Sequence, residues 1–182
     1  MKMLLYSCKA KPYLNDYRSM EGCNQFVLMT KPYNSLNGKI VAECDFKVEE
    51  ITYNDNAYYF DYTNAYAVLK RSCLSCCEID NYLKRQNGYA IHIKNLHIFD
   101  EPKELSDYVQ LDKKALKESE YEVKRIIKAP QNMCYCYDTS GNMNVLISIK
   151  PEWLCKILNS EKTIEIRKKV LKEMINNERK KQ

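Results

Sequence analysis

Residues 145–168 carry the strongest pattern in this chain of 182 residues and constrain its fold most. From residue 145 to residue 150, side chains fall on two alternating faces, with Val145, Ile147 and Ile149 on the apolar one, as in a β-strand. Pro151 suits the first turn of a helix. The buried stripe of that helix would be Leu154, Ile157 and Leu158. Alternation returns at residues 163–167, so this part of the chain predicts a strand–helix–strand unit.

The rest of the chain shows a similar mixture of short elements. Alternating apolar residues predict further strands at 4–6, 39–51, 89–100, 123–127 and 133–137. The alternation in 39–51 is imperfect, which predicts a β-bulge. Ser75 and Glu78 have the spacing of a capping box, so a helix should begin there and end near Gly88. We expect a loop at 54–64, a short charged helix at 113–122 and a turn at 138–142.

Composition excludes several classes of protein. The apolar fraction of 45% can supply a core, which argues against disorder. No apolar run approaches the roughly 18 residues of a membrane span, and the run at residues 1–6 is too short for a signal peptide. We therefore expect a cytoplasmic protein with no membrane contact. Nine cysteines, an odd number, then favour reduced thiols over a disulfide framework.

Positive charge is mild overall but concentrated at one end. The formal net charge of +5 permits an anionic partner without requiring one. Residues 167–181 read RKKVLKEMINNERKK, a basic helix with an apolar stripe at Val170, Leu171, Met174 and Ile175. This helix could contact nucleic acid, an anionic surface or a second copy of the chain. It could equally be a solvated extension.

The string SIKPEWLCKILNSEKTIEIRK, residues 148–168, resembles the opening strand–helix–strand of ASCH domains, a branch of the PUA-like β-barrels. The hallmark of that family is Gly-x-Lys-x-x-Glu-x-Arg. Lys162, Glu165 and Arg167 match it, with Ser160 in place of the glycine. Stretches between Tyr6 and residue 138 are similar to the middle and end of a phage-type member. The resemblance covers most of residues 1–168.

The order of these segments differs from that of the family, which usually begins with the SIKPE segment. We therefore interpret the chain as a circular permutation, with a main body at residues 3–138 and a displaced first unit at 143–168. The resemblance implies an α+β fold, a PUA-like mixed β-barrel of about five or six strands with flanking helices. Residues 1–168 would form one domain, and residues 169–182 a basic helical extension. The chain would be a monomer or a domain-swapped homodimer.

The resemblance also implies a cleft in which ASCH domains are thought to read RNA or modified nucleosides. Its residues here would be Tyr6, Ser7, Lys9, Ser148, Lys150, Lys162, Glu165 and Arg167. Cations neutralise phosphate, a carboxylate accepts hydrogen bonds from a base amine, and an aromatic ring stacks on a base. We therefore expect a nucleic-acid-binding module that recognises RNA or a modified nucleoside in a basic cleft, with no cofactor. From spacing alone, Glu165 and Arg167 would instead be a surface ion pair.

Two other functions stay open. Some small ASCH proteins are amidohydrolases of N4-acetylcytidine, and the resemblance would then assign catalysis to Lys162, Glu165 and Glu78. Glu165 stands where those enzymes have a threonine, and Glu78 has another role as the capping-box carboxylate. The second alternative is a phage-encoded accessory factor that binds a protein partner.

The cysteines and histidines permit a metal site but do not favour one. The candidate ligands are Cys73, Cys76, Cys77, Cys134, Cys136, His92 and His97. Zinc sites prefer paired cysteines on turns, whereas these fall at a helix start and in a strand. The two histidines are an odd number of residues apart and would face opposite sides of one strand. We expect buried thiols and no metal.

Overall fold

The computed structural model describes residues 1–8, 38–60, 63–111 and 123–176. Within these ranges the chain divides into two compact units, one of residues 1–44 and 96–158, the other of residues 45–95 and 159–182. Two long strands, β2 (Ile40–Asn54) and β5 (Gly88–Lys103), contribute residues to both units.

The first unit is mostly sheet. Besides its parts of β2 and β5, it contains β1 (Met3–Ser7), β6 (Val109–Leu111), β7 (Val123–Arg125), β8 (Met133–Tyr137), β9 (Met143–Ile149) and the helix α3 (Pro151–Leu158). A 3₁₀ turn, Leu105–Asp107, precedes β6. Its strands pair in the order β5–β2–β1–β9–β8–β6–β7. The predicted strands at 4–6 and 133–137 are confirmed, as is the strand–helix of the C-terminal segment. The strand predicted at 123–127 is confirmed over Val123–Arg125 and ends there.

The middle of this sheet joins distant parts of the sequence. β1 pairs antiparallel with β2 and parallel with β9, in a register that sets Tyr6 opposite Ser148. Leu5 lies opposite Ala42 and Tyr6 opposite Ile40, so Val41 is an extra residue in β2. This irregularity confirms the bulge predicted in residues 39–51.

The core of the first unit lies against both faces of β1 and β9. All five residues of β1 and residues 144–149 of β9 are buried. One core cluster comprises Leu4, Tyr6, Ile40, Tyr108, Ile126, Cys136 and Leu146. The stripe of α3 is buried as predicted, at Leu154, Ile157 and Leu158. Each such side chain contributes roughly 1.5–3 kcal/mol when buried.

The second unit surrounds the remaining halves of β2 and β5. It contains β3 (Ala57–Phe60), β4 (Thr63–Asn64), α1 (Tyr66–Leu69), α2 (Cys76–Leu83), β10 (Ile164–Arg167) and α4 (Lys172–Asn176). A 3₁₀ turn, Lys70–Ser72, follows α1. β10 pairs antiparallel with β5, and β3 pairs antiparallel with both β2 and β4.

The expectation of a loop at residues 54–64 is wrong. β2 and β3 form a hairpin whose two turn residues, Asp55 and Asn56, have φ angles of 46° and 60°. Both angles lie in the left-handed region that a tight two-residue hairpin requires. Asp and Asn tolerate that region without glycine, which is why this hairpin was missed.

The helix predicted after Ser75 is confirmed and is shorter than expected. The Ser75 hydroxyl accepts a hydrogen bond from the Glu78 amide at 3.3 Å, and Glu78 Oε2 accepts one from the Ser75 amide at 2.8 Å. The helix ends at Leu83, because Lys84 adopts a left-handed φ of 59°. Packing leaves little room for a side chain at Gly88, since an added Cβ would lie 2.7 Å from Leu83 Cδ2.

A mixed α+β structure is confirmed, but a closed barrel is not. Among the described residues, β7 pairs with β6 alone at one end of the first unit, and in the second unit β10 and β4 end the strand path. The strands therefore form an open sheet. In the extension, α4 covers five residues, with Met174 buried and Ile175 exposed. The helix expected at 113–122, and residues 177–182, lie outside the described residues.

No helix in the described ranges is both long and apolar enough to cross a membrane.

Candidate functional site

A cavity of about 680 Å³ opens in the first unit. It is lined by Tyr6, Cys8, Gly38, Ser148 and residues 104–106 and 126–131. The lining mixes apolar side chains with hydroxyl, amide, carboxylate and ammonium groups. Pockets for small ligands usually measure about 300–1,000 Å³, so this cavity can hold one.

The floor of the cavity is set by the parallel pairing of β1 with β9. Tyr6 and Ser148 are register partners there, and both are at least nine-tenths buried. The Ser148 hydroxyl donates to the Pro130 carbonyl at 2.6 Å, and the Ser148 amide donates to the Asn132 carbonyl at 3.0 Å. These two bonds tie residues 126–131 to the floor.

One wall consists of residues 126–131, directly after the edge strand β7. The Ile126 amide donates to the Tyr108 carbonyl at 3.0 Å, and the Ile126 side chain enters the core. Its neighbour Ile127 is 92% exposed. Lys128 and Gln131 are also exposed, so this wall offers a cation and an amide beside an apolar side chain.

Glu104 stands on another part of the lining. Its amide donates to Asp107 Oδ2 at 2.9 Å, which caps the short 3₁₀ turn. Its carboxylate forms an ion pair with Lys39. Glu104 is the one acidic residue among the described lining residues, and Lys39 offsets its charge.

The groups that line this cavity can form hydrogen bonds and apolar contacts. Burial, with a smaller effect of the nearby Cys8 thiol, raises the pKa of Tyr6, so its phenol stays protonated at neutral pH. Hydroxyl, amide and ammonium groups can bind a polar edge, while Leu105 and Ala129 offer apolar contact. Such an arrangement can hold a flat, partly polar ligand through hydrogen bonds and apolar contacts.

A second cluster lies in the second unit, where Lys162, Glu165 and Arg167 are brought together. Lys162 Nζ lies 3.3 Å from Glu165 Oε2 and donates to the Ser72 carbonyl at 2.6 Å. Arg167 Nε lies 2.9 Å from Glu165 Oε1. Only 2% of the Lys162 side chain is exposed. The Glu165 carboxylate thus lies between two cations inside the fold.

Burial lowers the pKa of Lys162, while the Glu165 carboxylate opposes that shift. The neighbouring backbone is also bonded: the Thr163 amide donates to the Arg71 carbonyl at 3.0 Å. Together these contacts attach the turn before β10 to the 3₁₀ turn Lys70–Ser72. A ligand phosphate could not reach the Lys162 ammonium in this arrangement.

The other residues expected in the cleft fall in different places. Ser7 is buried, and its amide donates to the Lys39 carbonyl at 2.9 Å. The side chain of Lys150 is 73% exposed, 3.9 Å from Glu152, and does not line the cavity. Lys9 lies outside the described residues. Tyr6 and Ser148 are therefore the two expected residues that line the cavity.

Glu78 belongs to the second unit, at the start of α2. Its Oε2 accepts hydrogen bonds from both the Ser75 amide and the Ser75 hydroxyl at 2.8 Å. The carboxylate is thus engaged as a helix cap.

Sequence reasoning missed Lys128, Gln131 and Glu104. A signal was present at residues 124–128, which read Lys-Arg-Ile-Ile-Lys, a basic run that interrupts the expected strand. It was treated as strand because the two isoleucines resemble a core pair. The structure separates them, with Ile126 buried and Ile127 exposed.

The cysteines form no disulfide bond and no metal cluster within the described residues. None of the eight described cysteines is paired with another. Groups of three or more His, Cys, Asp or Glu side chains suited to a metal were not found in these ranges. His92 Nε2 lies 2.9 Å from Glu49, and His97 Nδ1 lies 3.7 Å from Glu43, so each histidine has its own carboxylate.

Comparison with known proteins gave no relatives. No protein-family model matches the chain, and neither curated proteins nor solved structures show a significant similarity to it.

Proposed function

We propose that this protein binds RNA or a modified nucleoside and that the nucleoside occupies the cavity of the first unit. The observation that carries the proposal is the cavity itself, about 680 Å³ in volume, with Tyr6 and Ser148 on its floor and Lys128 and Gln131 on its wall. Its size suits one nucleoside, and its lining combines apolar contact with hydrogen-bonding groups.

The base, the sugar and an attached phosphate would each have a matching group among the lining residues. Gln131 carries both a donor and an acceptor on one amide, which suits the polar edge of a base. Leu105 and Ala129 offer apolar surface to the base or sugar. Lys128 is exposed at the rim, where a phosphate attached to the sugar would lie in water.

The likeness to ASCH domains supports the same class of ligand. It rests on Lys162, Glu165 and Arg167 in residues 160–167, and on the permuted order of segments. In this proposal the three residues hold the fold together, and the ligand contacts come from the first unit. The motif would then identify the family without forming the binding surface.

The amidohydrolase alternative has one observation in its favour, the lowered pKa of Lys162. A lysine that loses its proton readily can act as a base. Its 2% exposure and its bonds to Glu165 and Ser72 leave no room for a substrate beside it. Binding is therefore the better supported function.

Titration calorimetry or NMR with the four ribonucleosides and N4-acetylcytidine tests the proposal. We expect at least one to bind the wild type. Gln131→Ala should weaken binding, because it removes an amide from the lining. Ala129→Phe should weaken it further by filling the cavity. Lys150→Ala is the matched control, since this lysine is exposed in the same unit but lies off the cavity.

Two results would contradict the proposal. One is the absence of binding by every nucleoside and by short oligoribonucleotides. The other is binding that Gln131→Ala and Ala129→Phe leave unchanged. Release of acetate from N4-acetylcytidine, abolished by Lys162→Met in a folded variant, would favour the amidohydrolase.

A further inference from the structure

One wall of the cavity continues outward as a basic segment, defined here as residues 124–128 (Lys-Arg-Ile-Ile-Lys). It begins on β7, which ends the strand order of the first unit. Arg125 and Lys128 are both exposed. Along the chain these two cations flank Ile126 and Ile127, and Lys128 and Ile127 also line the cavity.

Ile127 is the most exposed large apolar side chain in the described ranges, at 92%. It is held there by its neighbour, because Ile126 is buried in the core and its amide is bonded to the Tyr108 carbonyl. Ile126 follows β7 directly and is buried, whereas the next side chain, that of Ile127, is turned to solvent. The position is fixed by the fold.

We propose that the ligand of the cavity is a single-stranded polynucleotide whose backbone crosses the basic segment. The inference rests on the proposed function, since one nucleoside of the strand must occupy the cavity. Arg125 and Lys128 would then neutralise phosphates on either side of that nucleoside, and Ile127 would contact the adjoining sugar or base.

The single-stranded form follows from the shape of the site. A base that enters a cavity must leave its stack and give up its pairing partner, which costs least in a single strand. The alternation of cation, apolar side chain and cation also matches a chain in which phosphates alternate with sugars and bases. A free nucleoside would use the cavity and leave Arg125, which lies outside the cavity lining, without a role.

Electrostatics near the cavity permits such a strand. Glu104 is the acidic residue in the described lining, and its charge is offset by Lys39. The Glu104 carboxylate therefore only partly offsets the attraction of Arg125 and Lys128 for an approaching phosphate. Two such contacts should make binding weaken about sevenfold as salt rises from 50 to 200 mM, since each phosphate contact contributes about 0.7 to the salt slope of a single strand.

Fluorescence anisotropy with octaribonucleotides of each base, measured on the full chain at both salt concentrations, tests the inference. Arg125→Ala and Lys128→Ala should each lower affinity about two- to threefold at the higher salt and reduce the slope by about 0.7. Ile127→Ala should lower affinity about tenfold if half of the atoms removed are covered by ligand. Lys150→Ala is the control for loss of one exposed positive charge, and melting temperatures check folding.

Nucleoside binding separates this inference from the proposed function. We expect Arg125→Ala, which removes a cation outside the cavity lining, to weaken octamer binding and to leave binding of a neutral nucleoside unchanged. If the wild type binds octamer and nucleoside equally, or if Lys150→Ala matches Arg125→Ala, the polynucleotide inference is wrong while the cavity proposal stands. If neither ligand binds, both are wrong. If deoxyribo-octamers bind as tightly as ribo-octamers, the single-strand inference stands but the preference for RNA is wrong.

Discussion

The ammonium group of Lys162 lies 3.3 Å from Oε2 of Glu165, with 2% of the lysine side chain exposed. Arg167 contacts the other oxygen of the same carboxylate at 2.9 Å. Glu165 therefore balances two cations, one of them almost fully removed from water. Burying charges is costly, so such a cluster is stable only while each member keeps its partners.

Glu165→Gln should destabilise the protein strongly, because it leaves Lys162 buried without a counter-charge. Breaking a buried ion pair on one side costs about 3–5 kcal/mol. Urea unfolding followed by circular dichroism measures the change in the free energy of unfolding. Lys47→Gln is the control: Lys47 lies 2.9 Å from Glu49 in a pair that is about one-third exposed, where the loss should be about 0–1 kcal/mol. Similar losses in both variants would contradict the structural role of Glu165.

Stability should fall as pH rises above about 9, and the thiol of Cys136 should account for part of that fall. Burial raises the pKa of Cys136 from 9.0 to about 12, with Cys134 contributing a smaller effect. Between these values the unfolded thiol loses its proton while the folded thiol keeps it. The folded state then binds more protons, so the free energy of unfolding decreases with rising pH.

Urea unfolding at pH 8, 9, 10 and 11 measures this slope. Cys136→Ala should make it shallower, by up to about 1.4 kcal/mol per pH unit. Cys77→Ala, which removes an exposed thiol, is the control and should leave it unchanged. A slope that does not respond to Cys136→Ala would show that other groups govern the alkaline transition.

Ser75→Ala should cost about 1 kcal/mol, because it removes the hydroxyl that caps α2. Glu78→Ala should cost a similar amount by removing the reciprocal acceptor of the Ser75 amide. Thermal unfolding of both single variants and of the double variant measures the coupling. Fully additive effects would indicate that the two residues do not act as one capping box.

Restoring the order of segments typical of ASCH domains should give a folded protein. The test chain runs from Met143 to Lys168 and continues from Met3 to Asp138. Its folding is expected because β9 keeps its neighbours β1 and β8 in the sheet. Deleting residues 143–182 from the natural order should instead abolish cooperative unfolding, since a buried central strand is lost. A cooperative transition in the deleted chain would contradict the interpretation of this chain as a circular permutation.

Local patterns predicted the fold best where a segment determines its own structure. Pro151 and the stripe of α3 were found because helix starts and periodic burial are visible in a short window. The hairpin at Asp55 and Asn56 was missed because its turn has no glycine. An open sheet replaced the expected barrel because strand closure depends on pairings between distant segments, which periodicity does not encode.

The site was predicted less completely for the same reason. Tyr6 and Ser148 were named through the family resemblance, and their register pairing places both on the cavity floor. Lys128 and Gln131 join them because the Ser148 hydroxyl binds the Pro130 carbonyl, a contact across 18 positions that no motif signals. The burial of Lys162 was missed because lysine is usually exposed.

The parallel pairing of β1 with β9 also governs when the first unit can form. The Val145 amide donates to the Lys2 carbonyl at 2.9 Å, so the two strands close a loop of more than a hundred residues. Closing long loops is slow because the chain loses entropy before the contact is made. While the ribosome is still adding residues 38–142, the apolar strand β1 lacks the neighbour that will cover one of its edges. We therefore expect this protein to acquire its native first unit only late in synthesis and to need protection from aggregation until then.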